Sequence, residues 1–233
     1  MNEAPETSTE TGTETGTETG TEIPPELVTQ MTGWRRDFHR HPEPGFAEER
    51  TSAHIASLLE SFGIEVHRNI GKTGIVGILQ RGNGPGSIAF RADMDALPIT
   101  ETGTPEWVSV HDGAMHACGH DGHTAMLLGA ACHLAAKGDF NGRIVFIFQP
   151  NEKHGHSAGA MIDDGLFQRF PADAVFAMHN IPGMKAGSFA TRAGPMTASE
   201  SLFELSVTAR GGHAALPHMG VDAILVGAQL VTA

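Results

Sequence analysis

Apolar residues change their spacing several times along the chain, and each change marks an element. From residue 9 to 22 only Thr, Glu and Gly occur, cycling as Thr-Glu-Thr-Gly, and Pro24-Pro25 closes the run. With nothing to bury, residues 1–24 read as disordered. Apolar positions return near Glu26 and predict a helix, which runs through Trp34-Arg35-Arg36-Asp37-Phe38-His39-Arg40 into a proline-punctuated loop at His41-Pro42-Glu43. Over residues 47–62, Ile55, Leu58, Leu59 and Phe62 recur at helical spacing and predict a second helix, which Gly63 stops.

Beyond Gly63 the apolar runs shorten to strand length at residues 74–79, 87–91, 143–148 and 174–179, and a helix is predicted over 124–136. Strands alternating with helices of that length predict an α/β sheet with helices on its faces, where sites collect at the carboxyl ends of strands. Polar clusters stand at three such ends: Asp93-Met94-Asp95, Gln149-Pro150-Asn151-Glu152 and His179-Asn180. Three clusters after three strand ends point to one shared site. After Pro182 the texture changes to an alternating strand over 202–209, then Gly211-Gly212-His213, then a helix from about Val221 that is still apolar and periodic at Ala233. A helix that stops without a cap suggests a piece of a longer protein.

The formal charge of −12 invites a search for cationic partners, but seven acidic residues precede the first basic residue, Arg35, and without them the balance is −5. No basic stripe is left to neutralise phosphates, so neither nucleic acid nor an anionic membrane is an expected partner. Fourteen histidines and no tyrosine make an unusual composition. Imidazole is both a common metal ligand and a proton carrier. Cys118 and Cys132 are the only cysteines, too few for a disulfide framework, and a reducing compartment fits. The first residues have no basic flank and apolar stretch of a signal peptide, and no apolar run approaches a membrane span, so the cytoplasm is the expected location.

Cys118-Gly119-His120 sets a thiol and an imidazole two residues apart, suited to zinc and also to nickel, cobalt or manganese, with His116 and His123 on either side. Alone, the pair also reads as a buried cysteine beside a capping histidine. Asp93 and Asp95 leave a strand on the same side because of its two-residue period, so one of them could orient a metal-binding histidine or touch the metal; a turn cap is the alternative. Glu152 follows an apolar strand and a proline, where a carboxylate could serve as general base. Lys153, next to it, carries an ammonium that cannot coordinate a metal and repels one nearby.

Taken together, the segments Phe38-His39-Arg40-His41-Pro42-Glu43, Arg91-Ala92-Asp93-Met94-Asp95-Ala96-Leu97-Pro98, His116-Ala117-Cys118-Gly119-His120-Asp121-Gly122-His123, Phe148-Gln149-Pro150, Met178-His179-Asn180 and Gly211-Gly212-His213 resemble the aminoacylase-type metallopeptidases, in particular hippurate hydrolases and indole-acetyl-amino-acid hydrolases. The resemblance implies a zinc-peptidase-like catalytic domain with a mixed sheet and two divalent metals, interrupted by an α+β lid that also mediates dimerisation. On that reading residues 25–185 are the catalytic domain, incomplete here, and 186–233 begin the lid. The implied reaction is hydrolysis of the amide of an N-acyl amino acid. Cys118, His120 and His179 are the implied metal ligands, Glu152 the general base, Asp95 the orienting carboxylate, and His213 a substrate contact. Lys153 stands where the family has a second glutamate, a ligand, and the family's last histidine ligand is expected beyond Ala233. Both departures imply weak metal binding and slow turnover. A non-catalytic metal-binding or regulatory product, and a carboxypeptidase or deacetylase with another acyl preference, are the alternatives.

Overall fold

In the computed structural model residues 22–155, 157–199, 201 and 203–233 are described, so the repeat up to Thr21 and Leu202 lie outside the described residues. The chain divides into two units, Met1–Met184 and Lys185–Ala233. In the first, helix α1 (Pro25–Arg40) opens with proline at its first position, where the missing N–H costs nothing. Helix α2 (Glu49–Ser61) buries Ile55 and Leu59 completely, with Leu58 and Phe62 partly covered, as the spacing predicts. Gly63 then takes a φ of +76°, a left-handed turn that ends the helix at little steric cost.

Five strands form one mixed sheet in the order β1-β2-β4-β3-β5: β1 (Glu65–Ile70), β2 (Gly74–Arg81), β3 (Ser87–Asp93), β4 (Gly142–Gln149) and β5 (Ala174–Ala177). β2 runs antiparallel to β1 and β4, whereas β3 is parallel to both β4 and β5. The α/β class is as the sequence predicts, and the extra strand, β1, is an edge strand whose Glu-Val-His-Arg-Asn-Ile offers little alternation to detect. Helices α4 (Ser157–Asp163) and α5 (Leu166–Arg169) are likewise additional, each too short to show a period.

β4 explains how the core is divided. Phe146 and Phe148 pack with Phe38, Ile55, Leu59 and Leu128 on one face, while Val145 and Ile147 meet Val76, Ala89, Met161 and Leu166 on the other. Both faces are covered, so the strand reads as a continuous apolar run rather than an alternation. Because β3, β4 and β5 are parallel, their carboxyl ends share one edge, and Asp93 pairs in register with Gln149. Helix α3 (His120–Lys137) begins at that edge.

In the second unit the expected strand over 202–209 is not formed by residues 203–209. Phe203, Leu205 and Val207 do alternate, but all three are exposed, and a strand exists only where a neighbour completes its ladder. The final helix, α6 (Ala223–Thr232), is capped by Asp222, which accepts hydrogen bonds from the amides of Ile224 and Leu225.

Glu48, just before α2, is fully buried and unites the loops leading to the site. It accepts hydrogen bonds from Thr73 Oγ1 at 2.6 Å and from the Asn151 amide at 2.8 Å. Burial raises its pKa against the lowering effect of these bonds. A carboxyl raised by folding contributes stability in full below its unfolded value and loses it as pH rises through the folded value. Glu48→Gln keeps an acceptor for Asn151 and a neutral partner for Thr73. In thermal melts the variant should match the wild type near pH 4 and exceed it increasingly toward pH 7. A gap independent of pH would contradict the assignment.

Candidate metal centre

The parallel strand ends deliver three groups to one place. β3 ends at Asp93 and runs on to Asp95; β4 leads through Pro150 and Asn151 to Glu152; the chain after β5 reaches His179 and Asn180. The fourth contribution is the start of α3. Gly119, with φ +93°, turns the chain left-handed so that the helix starts at His120, four residues before the apolar period begins. The early start is held by polar contacts rather than apolar ones. Asp121 accepts from His39 Nδ1 at 2.8 Å, and Thr124 Oγ1 donates to the Asp93 carbonyl at 3.0 Å.

His120 and His123 lie one turn apart on the face of α3 that meets β3, the i, i+3 relation of a helix. His120 Nδ1 is 3.0 Å from Asp95 Oδ1, and His123 Nδ1 is 2.6 Å from Asp93 Oδ1. Asp95 also accepts from the Lys153 amide at 3.0 Å, and Arg91 Nη1 donates to Asp93 Oδ2 at 2.9 Å. Burial alone would raise both carboxyls. The hydrogen bond from His120 and the amides of Lys153 and Glu152 instead hold Asp95 below the usual carboxylate range, and the His123 bond with the Arg91 charge does the same for Asp93. His116, beside the cluster, is buried with neither ring nitrogen hydrogen-bonded, and that burial pushes its pKa down to about 4.

The remaining donors are less satisfied. His120 Nε2 is buried and has no hydrogen-bond partner; the carboxylate oxygens Asp93 Oδ2 and Glu152 Oε2 lie 3.6 Å and 3.8 Å from it. With Nδ1 against Asp95, Nε2 is left unpartnered beside two carboxylate oxygens, an arrangement that a bound cation would relieve. Glu152 Oε2 is also buried without a hydrogen bond, although the Lys153 ammonium stands 3.2 Å away as an ion pair. Burial lowers the Lys153 pKa, but the Cys118 and Glu152 side chains beside it outweigh burial and raise it. His179 Nδ1 bonds to the Asn180 carbonyl at 2.7 Å, which leaves Nε2 facing Cys118 Sγ at 3.4 Å.

Among the described residues, two sets of side chains are close enough to hold a divalent ion: Asp93, His120, His123 and His179, and Asp95, His120 and Glu152. His120 belongs to both. Of the residues singled out in the sequence, Asp95, His120, Glu152 and His179 therefore come together. Cys118 touches His179 but belongs to neither set, and His213 lies in the second unit, where its Nδ1 accepts from the Ala215 amide at 3.1 Å. Asp93, open in the sequence as an alternative to Asp95, and His123, named there only as a flank of the cluster, join the site as well. Their signals were the two-residue period shared with Asp95 and the one-turn spacing from His120. Asn180, whose Oδ1 closes off His123 Nε2 at 2.6 Å, had no signal beyond its place after His179. Mixed imidazole and carboxylate donors with an orphaned buried imidazole nitrogen fit a zinc-like ion.

Residues 89–230 match the sequence profile described as Peptidase family M20/M25/M40. Hippurate hydrolase of Campylobacter jejuni is 44% identical over 208 residues, covering 89% of this chain and 54% of that protein. N-acyl-L-amino acid amidohydrolase of Geobacillus stearothermophilus is 42% identical over 211 residues, covering 89% and 56%. The chain thus spans about half the length of these curated relatives. Among solved structures, a dinuclear metal-binding peptidase of Bacillus subtilis superposes with a TM-score of 0.69 at 39% identity, over 73% of this chain and 48% of its own. Among the described residues no helix is long and apolar enough to cross a membrane.

Proposed function

Since the chain belongs to Peptidase family M20/M25/M40, we propose that it is a metal-dependent hydrolase of the amide bond in N-acyl amino acids of the hippurate type. The observation that carries this reading is His120 Nε2, buried without a hydrogen-bond partner, 3.6 Å from Asp93 Oδ2 and 3.8 Å from Glu152 Oε2. His120, His179 and Cys118 are the ligands proposed. When bound, a divalent ion supplies Lewis acidity to the scissile carbonyl and to water.

The chain's own groups do the rest. Asp95 fixes the His120 ring through Nδ1, so that Nε2 stays available, and is in turn held by the Lys153 amide. Glu152 has one oxygen without a hydrogen bond and is the proposed general base; it takes the proton of the attacking water and returns it to the leaving nitrogen of the amino acid. The unit Lys185–Ala233 is proposed as the start of a lid and dimerisation domain, with His213 as its substrate contact. Both cysteines are free, which suits a reducing compartment and makes the cytoplasm part of the same proposal.

The test is hydrolysis of hippurate and of N-acetyl amino acids with added zinc, manganese or nickel. Slow, metal-dependent turnover is expected, falling on the order of 10²- to 10⁴-fold in Glu152→Ala, the usual worth of a positioned acid–base group. A rate indifferent to chelation or to that substitution would sink the reading.

A further inference from the structure

The structural relative named above is dinuclear, and this chain offers two overlapping ligand sets that share His120. One of them, Asp95–His120–Glu152, already has a cation against it. The Lys153 ammonium is 3.2 Å from Glu152 Oε2 and stands beside Cys118 as well, so a single tethered positive charge serves two of the site's anionic or soft donors. Its backbone is pinned in place, because the Lys153 amide donates to Asp95 Oδ2 at 3.0 Å. The root of the side chain is thereby fixed within reach of Glu152, and the side chain is 26% exposed.

We propose that the Lys153 ammonium takes one of the two cation positions of this site, so that the chain binds a single divalent ion, held through His120 and His179. The argument rests on the metal-centre reading above. A second divalent ion bound through Glu152 would have to displace the ammonium from its ion pair or lie within a few ångströms of it, and like charges at that distance repel strongly. An ammonium, with three donors and no lone pair, neutralises a carboxylate and cannot add a ligand in return. The same charge keeps Glu152 paired when no metal is present, so the site does not have to gather its carboxylates unaided.

The experiment is a metal count. The full chain, loaded with zinc and dialysed, is expected to retain one ion by mass spectrometric metal analysis, and Lys153→Glu is expected to retain two. Lys153→Gln, which removes the charge and offers a neutral oxygen, should take up a second ion at zinc concentrations where the wild type holds one. In chelator, both variants should melt below the wild type, because Glu152 loses its counter-ion; this readout needs no turnover. Two ions in the wild type, or one in both variants, would overturn the inference and leave the hydrolase reading standing. No ion in any form would instead remove the metal centre itself, and the inference with it.

Discussion

His120→Ala is expected to abolish metal binding and to destabilise the chain at the same time. The ring is wholly buried and is the only residue common to both ligand sets. Its removal deletes the orphaned Nε2 and strips Asp95 of the hydrogen bond from Nδ1. A buried acceptor left with fewer partners costs about 1–3 kcal/mol, before any cavity is counted. The affinity loss should be larger than the roughly 10- to 100-fold that follows when only the partner orienting a ligand is removed. Asp95→Asn supplies that comparison: it keeps the ring and an acceptor oxygen but weakens the hold on the ring, so its zinc affinity should fall within that smaller range. Titration of both variants by calorimetry, with urea unfolding of the metal-free forms, separates the two effects. Zinc affinity retained in His120→Ala would show that the ion sits elsewhere.

The sheet was legible because its central strands are buried on both faces. Residues 143–148 and 74–79 are apolar runs that admit no amphipathic reading, and β4 and β2 lie there. β1 was not legible, since an edge strand with solvent on its outer side needs no pattern to be stable. The site was legible at the strand ends, where Asp95, Glu152 and His179 follow apolar runs in a way that only a shared edge explains. Helix α3 starts four residues before its hydrophobic period, at His120. From His120 to Thr124 the helix is fixed by Asp95, His39 and Asp93, residues that lie 25, 82 and 31 positions away in sequence. The burial of Glu48 has the same origin: its partners Thr73 and Asn151 are 25 and 103 positions away, so nothing local in the sequence marks it as buried. Periodicity reports what an element buries, and these residues are placed by what they bond to.

The strand expected over 202–209 shows the opposite failure. Alternation there is as good as in many strands, yet Phe203 is 83% exposed and Leu205 63%. A pattern records the face a strand would bury, whereas the ladder depends on a neighbour that a pattern does not supply.

Gly119→Ala is the second large effect expected, and it reaches the site without altering any ligand. At φ +93° an alanine is strained, by an amount on the order of 1–2 kcal/mol. Independently, its Cβ would come within 2.3 Å of Asn180 Oδ1, an impossible contact that some atom must yield to. Asn180 is the one that must move, yet it closes off His123 Nε2 at 2.6 Å, and its carbonyl holds His179 Nδ1 at 2.7 Å. The clash should therefore pass to His179 and weaken zinc binding, whereas strain alone would lower stability and spare affinity. A double-mutant cycle distinguishes them. If the contact matters, Gly119→Ala combined with Asn180→Ala should cost less than the sum of the two single variants, with a coupling of roughly 0.5–3 kcal/mol. Strict additivity in stability, with zinc affinity unchanged in Gly119→Ala, would assign the whole cost to the backbone and detach Asn180 from the metal centre.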